Sequence, residues 1–220
     1  MSKINVLSTN GETLKDMVRK TIFATAENGA KMVHTGVRFE VTKGNIRLVA
    51  VDGYKLAIRN EKIDYEGDEK VFIIPKKTLN EVVKLAGDGD DTVAIVVASR
   101  YIMFECGAYI IVSRLLEGEF LSYKSAIPTT AKTEVKVNTR KIISSIERTS
   151  LIITERIKSF VRCIFDNESI RISSTTALGT ANDRILADIQ GERVEIGFNN
   201  KYLLDALKVC DCDEIKIEMG

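Results

Sequence analysis

The chain repeats itself at an interval of about 124 residues, and this duplication constrains the fold more than any other feature of the sequence. The segment VRFEVTKGNIRL at 37–48 aligns with VRCIFDNESIRI at 161–172 at an offset of 124. The segment LNEVVK at 79–84 aligns with LLDALK at 203–208 at the same offset. Because the order of these segments is the same in both halves, we predict two copies of one structural unit.

Weaker matches flank these segments and extend the repeat. The pattern LKDMVRKTIFAT at 14–25 resembles RKIISSIERTSL at 140–151 at an offset near 126. The apolar alternation of 93–97 returns at 215–219 with an offset of 122. The predicted unit is therefore roughly 125 residues long, within the usual size of a domain.

Each unit is predicted to contain a helix, a hairpin, a second helix and a second hairpin. Apolar residues recur at helical spacing in 14–22 and 79–86, whereas they alternate in 37–41 and 46–50 around a turn at 43–45. Three further strands are predicted at 93–97, 101–105 and 108–113, with a tight turn at Cys106 and Gly107. Amphipathic helices bury one stripe against a sheet, so the predicted class is α+β, with two helices packed on antiparallel sheet per repeat.

The second copy is shorter than the first in this alignment. The first copy continues past its 93–97 strand to Pro128, whereas the second stops at Gly220. The predicted domains are 1–128 and 129–220, and the second lacks about 30 C-terminal residues relative to the first. Two interpretations stay open: the chain is a fragment of a longer one, or its last sheet ends on an exposed edge.

The connector VSRLLEGEFLSYKSAIP at 112–128 is unusually apolar for a surface loop. It carries Leu115, Leu116, Phe120 and Tyr123, although loop backbones normally stay solvated. Such side chains either pack back onto a core or contact a partner. For Leu115, Leu116 and Phe120 we favour packing at the junction of the two units.

Composition indicates a globular protein of the cytoplasm. Hydrophobic residues make up 45% and charged residues 29% of the chain, and no apolar run approaches the roughly 18 residues of a membrane span. The N-terminus MSKINVLSTN lacks an apolar signal core. We therefore predict a cytoplasmic location, no membrane contact and no disulfide framework among the four cysteines.

The sequence contains few residues or motifs that could catalyse a reaction or bind a metal. It has one histidine, His34, and no GxSxG, HExxH or GxxxxGK[ST] motif. Cys210 and Cys212 would need two further ligands to hold a metal. The acidic stretch 87–91 precedes a strand pattern, so we interpret it as a helix cap and turn rather than a calcium loop. A competing hypothesis, an enzyme using Asp88, Asp90 and Asp91, would need convergent acids in a pocket. We predict no catalytic residue, metal or cofactor.

Positive charge is concentrated on the predicted helices. The net charge is only +1, yet the helices predicted at 13–24, 76–86, 139–149 and 200–209 together carry +7, which leaves −6 for the rest. One such helix would be read as a solvated face, but four at equivalent places favour a single basic surface. Such a surface suits sequence-independent contact with the phosphates of duplex DNA. The predicted DNA-binding residues are Lys15, Arg19, Lys76, Lys77, Lys84, Arg140, Lys141, Arg148, Lys201 and Lys208.

Several long stretches resemble one protein family. TGVRFEV, RLVAVDGYKLA, IIPKKTLNEVVK, VSRLLEGEFLSYKSAIP and VEIGFNNKYLLDALK occur in order and span nearly the whole chain. On these residues the chain resembles the bacterial DNA polymerase III beta subunit family, the sliding clamps. The resemblance implies tandem repeats of the DNA-clamp fold, with 1–128 similar to the middle domain and 129–220 to most of the third. In the family, two three-repeat chains form a homodimeric ring whose helices face the duplex.

The resemblance also implies a function. Family members are non-catalytic processivity factors in DNA replication, grouped through their holoenzyme with DNA-directed DNA polymerase, a nucleotidyltransferase. Their partners, by short apolar peptides, are the DNA polymerase III catalytic subunit, the clamp loader and repair polymerases. The alternative is a stand-alone, nonspecific DNA-binding scaffold that forms no ring, and a genomic reading frame longer on both sides would exclude it.

Family members bind these peptides in an apolar cleft between the middle and third domains. The matching positions here are His34, Val51, Gly53, Tyr54, Lys55, Leu56, Pro128, Ile157, Asn199 and Tyr202. Members of the family often have Thr, His and Arg where this chain has Val51, Tyr54 and Lys55. These departures keep the apolar character of the cleft but put individual hydrogen bonds in doubt.

Overall fold

The chain divides into two units, Met1–Lys124 and Ser125–Gly220, and the described residues of each form two α-helices and two antiparallel sheets. The computed structural model describes residues 5–27, 31–87, 91–154 and 160–220. The predicted α+β class is confirmed, because the helices of each unit share a hydrophobic core with antiparallel strands.

The first unit contains eight strands and two helices in its described residues. They are β1 (Asn5–Asn10), α1 (Gly11–Ile22), β2 (Gly36–Thr42), β3 (Asn45–Val51), β4 (Leu56–Lys62), β5 (Lys70–Pro75), α2 (Lys76–Leu85), β6 (Thr92–Val97), β7 (Tyr101–Cys106) and β8 (Tyr109–Arg114). One sheet has the strand order β1-β6-β7-β8 and the other β4-β3-β2-β5, with all neighbours antiparallel. Both sheets and both helices contribute side chains to one core, in which Phe39 stacks on Phe72 with ring centroids 5.4 Å apart.

The second unit follows the same order of elements as far as the counterpart of β6, with one additional short strand before the counterpart of β5 and without counterparts of β7 and β8 in its described residues. Its elements are β9 (Thr133–Asn138), α3 (Thr139–Thr149), β10 (Val161–Asp166), β11 (Ser169–Thr176), β12 (Gly179–Leu186), β13 (Asp188–Gly191), β14 (Val194–Phe198), α4 (Asn200–Lys208) and β15 (Glu214–Met219). The sheets have the orders β12-β11-β10-β14 and β13-β9-β15. This unit has its own core of β-strand and helix side chains.

The first helices of the two units match in detail. The buried positions of α1, which are 11, 14, 17, 18 and 21, return as 139, 142, 145, 146 and 149 in α3. Thr21 and Thr149 both donate a side-chain hydrogen bond to the carbonyl four residues earlier, and Asn10 and Asn138 both cap their helix with the side-chain oxygen. The offset here is therefore 128 rather than the expected 126. Since a shift of two residues turns a helical position by about 200°, only an offset of 128 superposes the buried faces.

The order of elements predicted from the sequence, helix, hairpin, helix and hairpin, did not include several of the strands. β1, β4 and β5 were not predicted, so each four-stranded sheet of the first unit is larger than expected. β4 has the sequence LAIRNEK, whose polar second half weakens the alternating pattern that identifies a strand. β8 begins at Tyr109, one residue after the predicted start. Helix α2 ends at Leu85 with Ala86 as its cap, and the expected turn at 88–90 lies outside the described residues.

The connector after β8 packs back onto its own unit. Leu115 joins the main core, whereas Phe120 and Tyr123 are buried in a second cluster with Val49, Val51 and Ile73 on the opposite, outer face of the β4-β3-β2-β5 sheet. We call this second cluster the outer-face cluster; its other members are Val33, Leu56, Ile58 and Leu116. The apolar side chains of the loop therefore cover one half of an otherwise exposed sheet face.

Gly36 allows the closest approach between this loop and the sheet. A methyl group at Gly36 would clash with the carbonyl oxygen of Ile74 and would lie 2.8 Å from Cδ1 of Leu116. We expect Gly36→Ala to lower the free energy of unfolding by about 1–3 kcal/mol, because the backbone on one side cannot move aside as a flexible side chain can. Urea titration followed by circular dichroism measures this loss. Thr42→Ala, at the other end of β2, is the control and should cost less than about 0.5 kcal/mol. Equal losses for both variants would contradict the packing argument.

Candidate functional site

The described residues contain no cluster of side chains suited to metal binding. No group of three or more His, Cys, Asp or Glu side chains in this part of the chain could hold a metal ion, and none of its helices is long and apolar enough to cross a membrane. Burial raises the pKa of the Cys163 thiol to about 12, and it also raises the pKa of Cys106. Both thiols therefore stay protonated and serve as core side chains, not nucleophiles.

The predicted peptide-binding residues of the first unit cluster at the turn between β3 and β4. Asp52 organises this turn, since its side-chain oxygen Oδ1 accepts hydrogen bonds from the backbone N–H of Tyr54 and of Lys55 at 2.9 and 2.8 Å. Gly53 adopts a positive φ of 94°, which glycine adopts without strain. The sequence prediction left out Asp52, although an Asp-Gly pair between two strands is a known turn signal.

Lys55 is turned inward and ties the turn to helix α1. Its ammonium group donates to the carbonyl oxygen of Phe23, the C-cap of α1, at 2.9 Å, and lies 3.4 Å from a carboxylate oxygen of Asp52. Its side chain is only 14% exposed. A cation at a helix C-terminus is favoured by the unpaired carbonyls there. Lys55 therefore positions the turn through its ammonium group.

Two apolar side chains face each other at the base of the turn. Val51 ends β3, Leu56 begins β4, and the two form a cross-strand pair. Val51 is buried and Leu56 half-buried in the outer-face cluster. Next to them, Tyr54 is 84% exposed, and the space above Gly53 is open to 4 Å. The arrangement gives an apolar floor, an open backbone and a projecting aromatic ring.

His34 packs against the same cluster from a short 3₁₀ helix at Met32–Thr35. Its ring meets Phe120 edge to face, with centroids 5.5 Å apart, and its backbone carbonyl accepts a hydrogen bond from Ala26 at 2.8 Å. The ring nitrogen Nε2 is buried without a hydrogen-bond partner among the described residues. Desolvation, and secondarily the charge of Lys31, lower the pKa of His34.

The remaining predicted peptide-binding residues belong to the second unit. Asn199 caps helix α4, with its side-chain oxygen accepting from the backbone N–H of Lys201 at 3.0 Å and of Tyr202 at 3.3 Å. Tyr202 is half-buried on the first turn of α4, and Pro128 is exposed. Ile157 lies outside the described residues. Because the side-chain oxygen of Asn199 caps the helix, mainly its amide nitrogen is left to bind a ligand.

The predicted DNA-binding residues of the first unit all lie on its two contacting helices: Lys15 and Arg19 on α1, and Lys76, Lys77 and Lys84 on α2. Lys15 and Arg19 are one turn apart and so share a face. Lys84 is paired with Glu81 at 2.9 Å. Within the described ranges, Arg19, Lys76 and Lys77 form no ion pair.

The second unit places its five predicted cations in the same way: Arg140, Lys141 and Arg148 on α3, and Lys201 and Lys208 on α4. Lys208 bridges to Glu147 of α3 at 2.7 Å, and Arg148 is paired with Asp183. Arg140, Lys141 and Lys201 have no ion pair with any residue that the structure describes. Lys201 and Lys208 occupy the positions of Lys77 and Lys84 at the offset of 124.

Two family models match the chain, one over each unit. A model described as the central domain of the DNA polymerase III beta subunit matches residues 8–121, and one described as its C-terminal domain matches residues 124–220.

Named relatives are similar over almost the whole chain. The beta sliding clamp of Bacillus subtilis is 35% identical over 210 residues, 94% of this chain and 56% of the relative, and that of Staphylococcus epidermidis RP62A is 30% identical over 220 residues, 99% and 58% respectively. The chain therefore spans less than two thirds of these relatives.

Solved structures agree with the sequence matches. The DNA polymerase sliding clamp of Bacillus subtilis superposes with a TM-score of 0.95 at 33% identity, over 100% of this chain and 59% of that one. The DNA polymerase III beta subunit of Thermotoga maritima superposes with a TM-score of 0.89 at 29% identity, over 100% and 59%.

We predict that His34, the one histidine in the chain, titrates below its ordinary pKa of 6.5. Because burial disfavours the charged ring, the unfolded chain binds a proton that the folded chain does not as the pH falls below 6.5, and the free energy of unfolding decreases. A proton NMR titration of the imidazole signal measures the pKa directly. A midpoint at or above 6.5 would contradict the buried setting. His34→Gln should remove this part of the pH dependence of stability.

Proposed function

The chain belongs to the DNA polymerase III beta subunit family, and from this membership we propose that it acts in a DNA sliding clamp, a processivity factor that encircles duplex DNA and tethers the replicative polymerase. The observation that carries the proposal is the match of two consecutive clamp domains to the two duplicated units. The role is non-catalytic, and the chain would be grouped with DNA-directed DNA polymerase, a nucleotidyltransferase, only through its holoenzyme.

The proposal extends to domains, assembly and partners. Residues 1–128 would serve as the middle clamp domain and 129–220 as the third, within a homodimeric ring in the cytoplasm. The partners would be duplex DNA, the DNA polymerase III catalytic subunit, the clamp loader and repair polymerases. The relatives named as beta sliding clamps support this assignment.

The DNA-facing surface would be formed by the helices. Their unpaired cations, Arg19, Lys76, Lys77, Arg140, Lys141 and Lys201, are available to phosphates, and the described helices carry few aromatic rings for base stacking. Such contacts hold a duplex by its backbone and leave it free to slide. The three ion-paired cations, Lys84, Arg148 and Lys208, would contribute less, because a phosphate must compete with their carboxylate partners.

The peptide-binding surface would use the turn between β3 and β4. Val51 and Leu56 supply an apolar floor, and Gly53 lets a peptide backbone approach closely. Tyr54 is exposed enough to cover an inserted side chain. The resemblance to the family also marks His34, Pro128, Ile157, Asn199 and Tyr202 as peptide-binding residues.

We expect duplex binding to be weak, independent of base sequence and strongly salt-dependent. Lys77→Ala combined with Lys201→Ala removes two equivalent cations that have no ion pair in the described chain. The slope of log K against log salt should fall by about 1.8, since each phosphate contact contributes about 0.9. Fluorescence anisotropy of a labelled duplex at several salt concentrations measures the slope.

The control for this experiment is Lys43→Ala combined with Lys132→Ala, which removes the same charge from outside the helices. Its salt slope should equal that of the unmodified chain. An equal decrease in both double variants, or tight binding that salt does not weaken, would refute the helix surface as the DNA contact.

We expect Leu56→Asp to weaken binding of an apolar partner peptide about a hundredfold or more, because a carboxylate would be desolvated against the peptide's anchor side chain. The probe is a fluorescein-labelled C-terminal peptide of a bacterial replicative polymerase, measured by anisotropy. Leu186→Asp is the matched control, since Leu186 is 71% exposed on β12. If Leu56→Asp and the unmodified chain bind equally well, the site lies elsewhere and the turn has only a structural role.

A further inference from the structure

The outer face of the β4-β3-β2-β5 sheet has a polar half that the proposed function does not use. Across the strands, Glu40 on β2 lies between Val71 on β5 and Arg47 on β3, and Arg47 lies opposite Asn60 on β4. The residues before and after Glu40 in β2 are buried in the main core, so this row of side chains points away from the core. The loop that covers the apolar half of the face reaches this row through the hydroxyl of Tyr123, which donates to Glu40.

A cavity of about 640 Å³ opens over this row. Four cationic side chains and two carboxylates line it, which gives a net formal charge of +2. We call it the Arg47 groove and define it by the lining residues Arg38, Glu40, Arg47, Asn60, Lys70 and Lys124. All of them belong to the first unit.

Internal contacts neutralise the carboxylate of Glu40. Arg38 Nε donates to Glu40 at 2.8 Å, the hydroxyl of Tyr123 donates to its other oxygen at 3.0 Å, and Arg47 Nη1 lies 3.8 Å from that oxygen. Arg47 is also oriented by a hydrogen bond from its Nε to Asn60 at 2.6 Å. A well-held network therefore presents the guanidinium of Arg47 with 41% of its side chain still exposed.

Two further cations of the groove are available to a ligand. Lys70 and Lys124 form no ion pair with any residue in the described ranges, although both line the cavity. Three cations thus surround a groove whose central carboxylate is already satisfied. An anionic ligand would gain charge-assisted hydrogen bonds there without displacing an existing pair.

We propose that the Arg47 groove binds an acidic, extended peptide segment of a partner protein, separately from the apolar turn at Val51 and Leu56. The amides of Asn45 and Asn60 can both donate to and accept from a peptide backbone. Val71, 59% exposed at the rim, gives an apolar contact that a phosphate backbone would not use.

The probe is a fluorescein-labelled peptide of four glutamates flanked by glycines, titrated against the chain at low salt by fluorescence anisotropy. We expect saturable binding that Lys124→Glu weakens at least tenfold, because an attraction becomes a repulsion. Arg47→Gln should weaken binding by a similar factor while keeping a donor for Asn60. Circular dichroism establishes that both variants are folded.

Lys132→Glu is the control, since it makes the same charge change on an exposed lysine outside the groove. Equal weakening by Lys124→Glu and Lys132→Glu, or no saturable binding of the probe, would overturn the proposal. A single-stranded oligonucleotide that binds more tightly than the peptide and depends equally on Lys124 would also overturn it. Lys124→Glu should leave the affinity of the apolar partner peptide unchanged, so this proposal and the proposed clamp function can fail independently.

Discussion

Packing of the loop after β8 against the outer face of the β4-β3-β2-β5 sheet supports both candidate sites of the first unit. Phe120 and Tyr123 bury Val49 and Val51 on that face, and Gly36 lets Leu116 pack closely against the sheet. A sheet with one apolar half-face exposed would be prone to association with other chains. The loop covers this half. The turn between β3 and β4 then lies at one end of the covered region, and the polar row of Glu40 and Arg47 lies at the other.

The same loop connects the two sites through individual side chains. The ring of Phe120 contacts His34 edge to face and carries the guanidinium of Arg38 5.6 Å above its centroid. Tyr123 lies in the apolar cluster, yet its hydroxyl donates to Glu40 in the groove. A ring with an apolar body and a polar tip suits such a boundary. The question why a connector carries so many apolar residues is answered, for these residues, by packing within one unit.

The proposed DNA surface depends on the duplication in a simpler way. Each helix buries one face against the core, which leaves the opposite face exposed to solvent. Cations on the exposed faces can therefore contribute to one surface. Lys77 and Lys201 occupy equivalent positions in the two units, as do Lys84 and Lys208. Lys84 and Lys208 are both ion-paired, but in different ways: Lys84 pairs with Glu81 on its own helix, whereas Lys208 pairs with Glu147 on the neighbouring helix α3.

The sequence by itself determined the duplication, the α+β class and the family, because apolar periodicity and long motifs are local properties of the chain. It missed β1, β4 and β5, and it misplaced the offset of α3 by two residues, since strand pairing and helix rotation are decided by partners distant in sequence. Only the tertiary structure showed that Lys55 is turned inward to Phe23 and that Arg47 and Lys124 share a groove. Those residues are far apart or individually unremarkable in the sequence, and a site exists only where folding brings their charges within a few ångströms of each other.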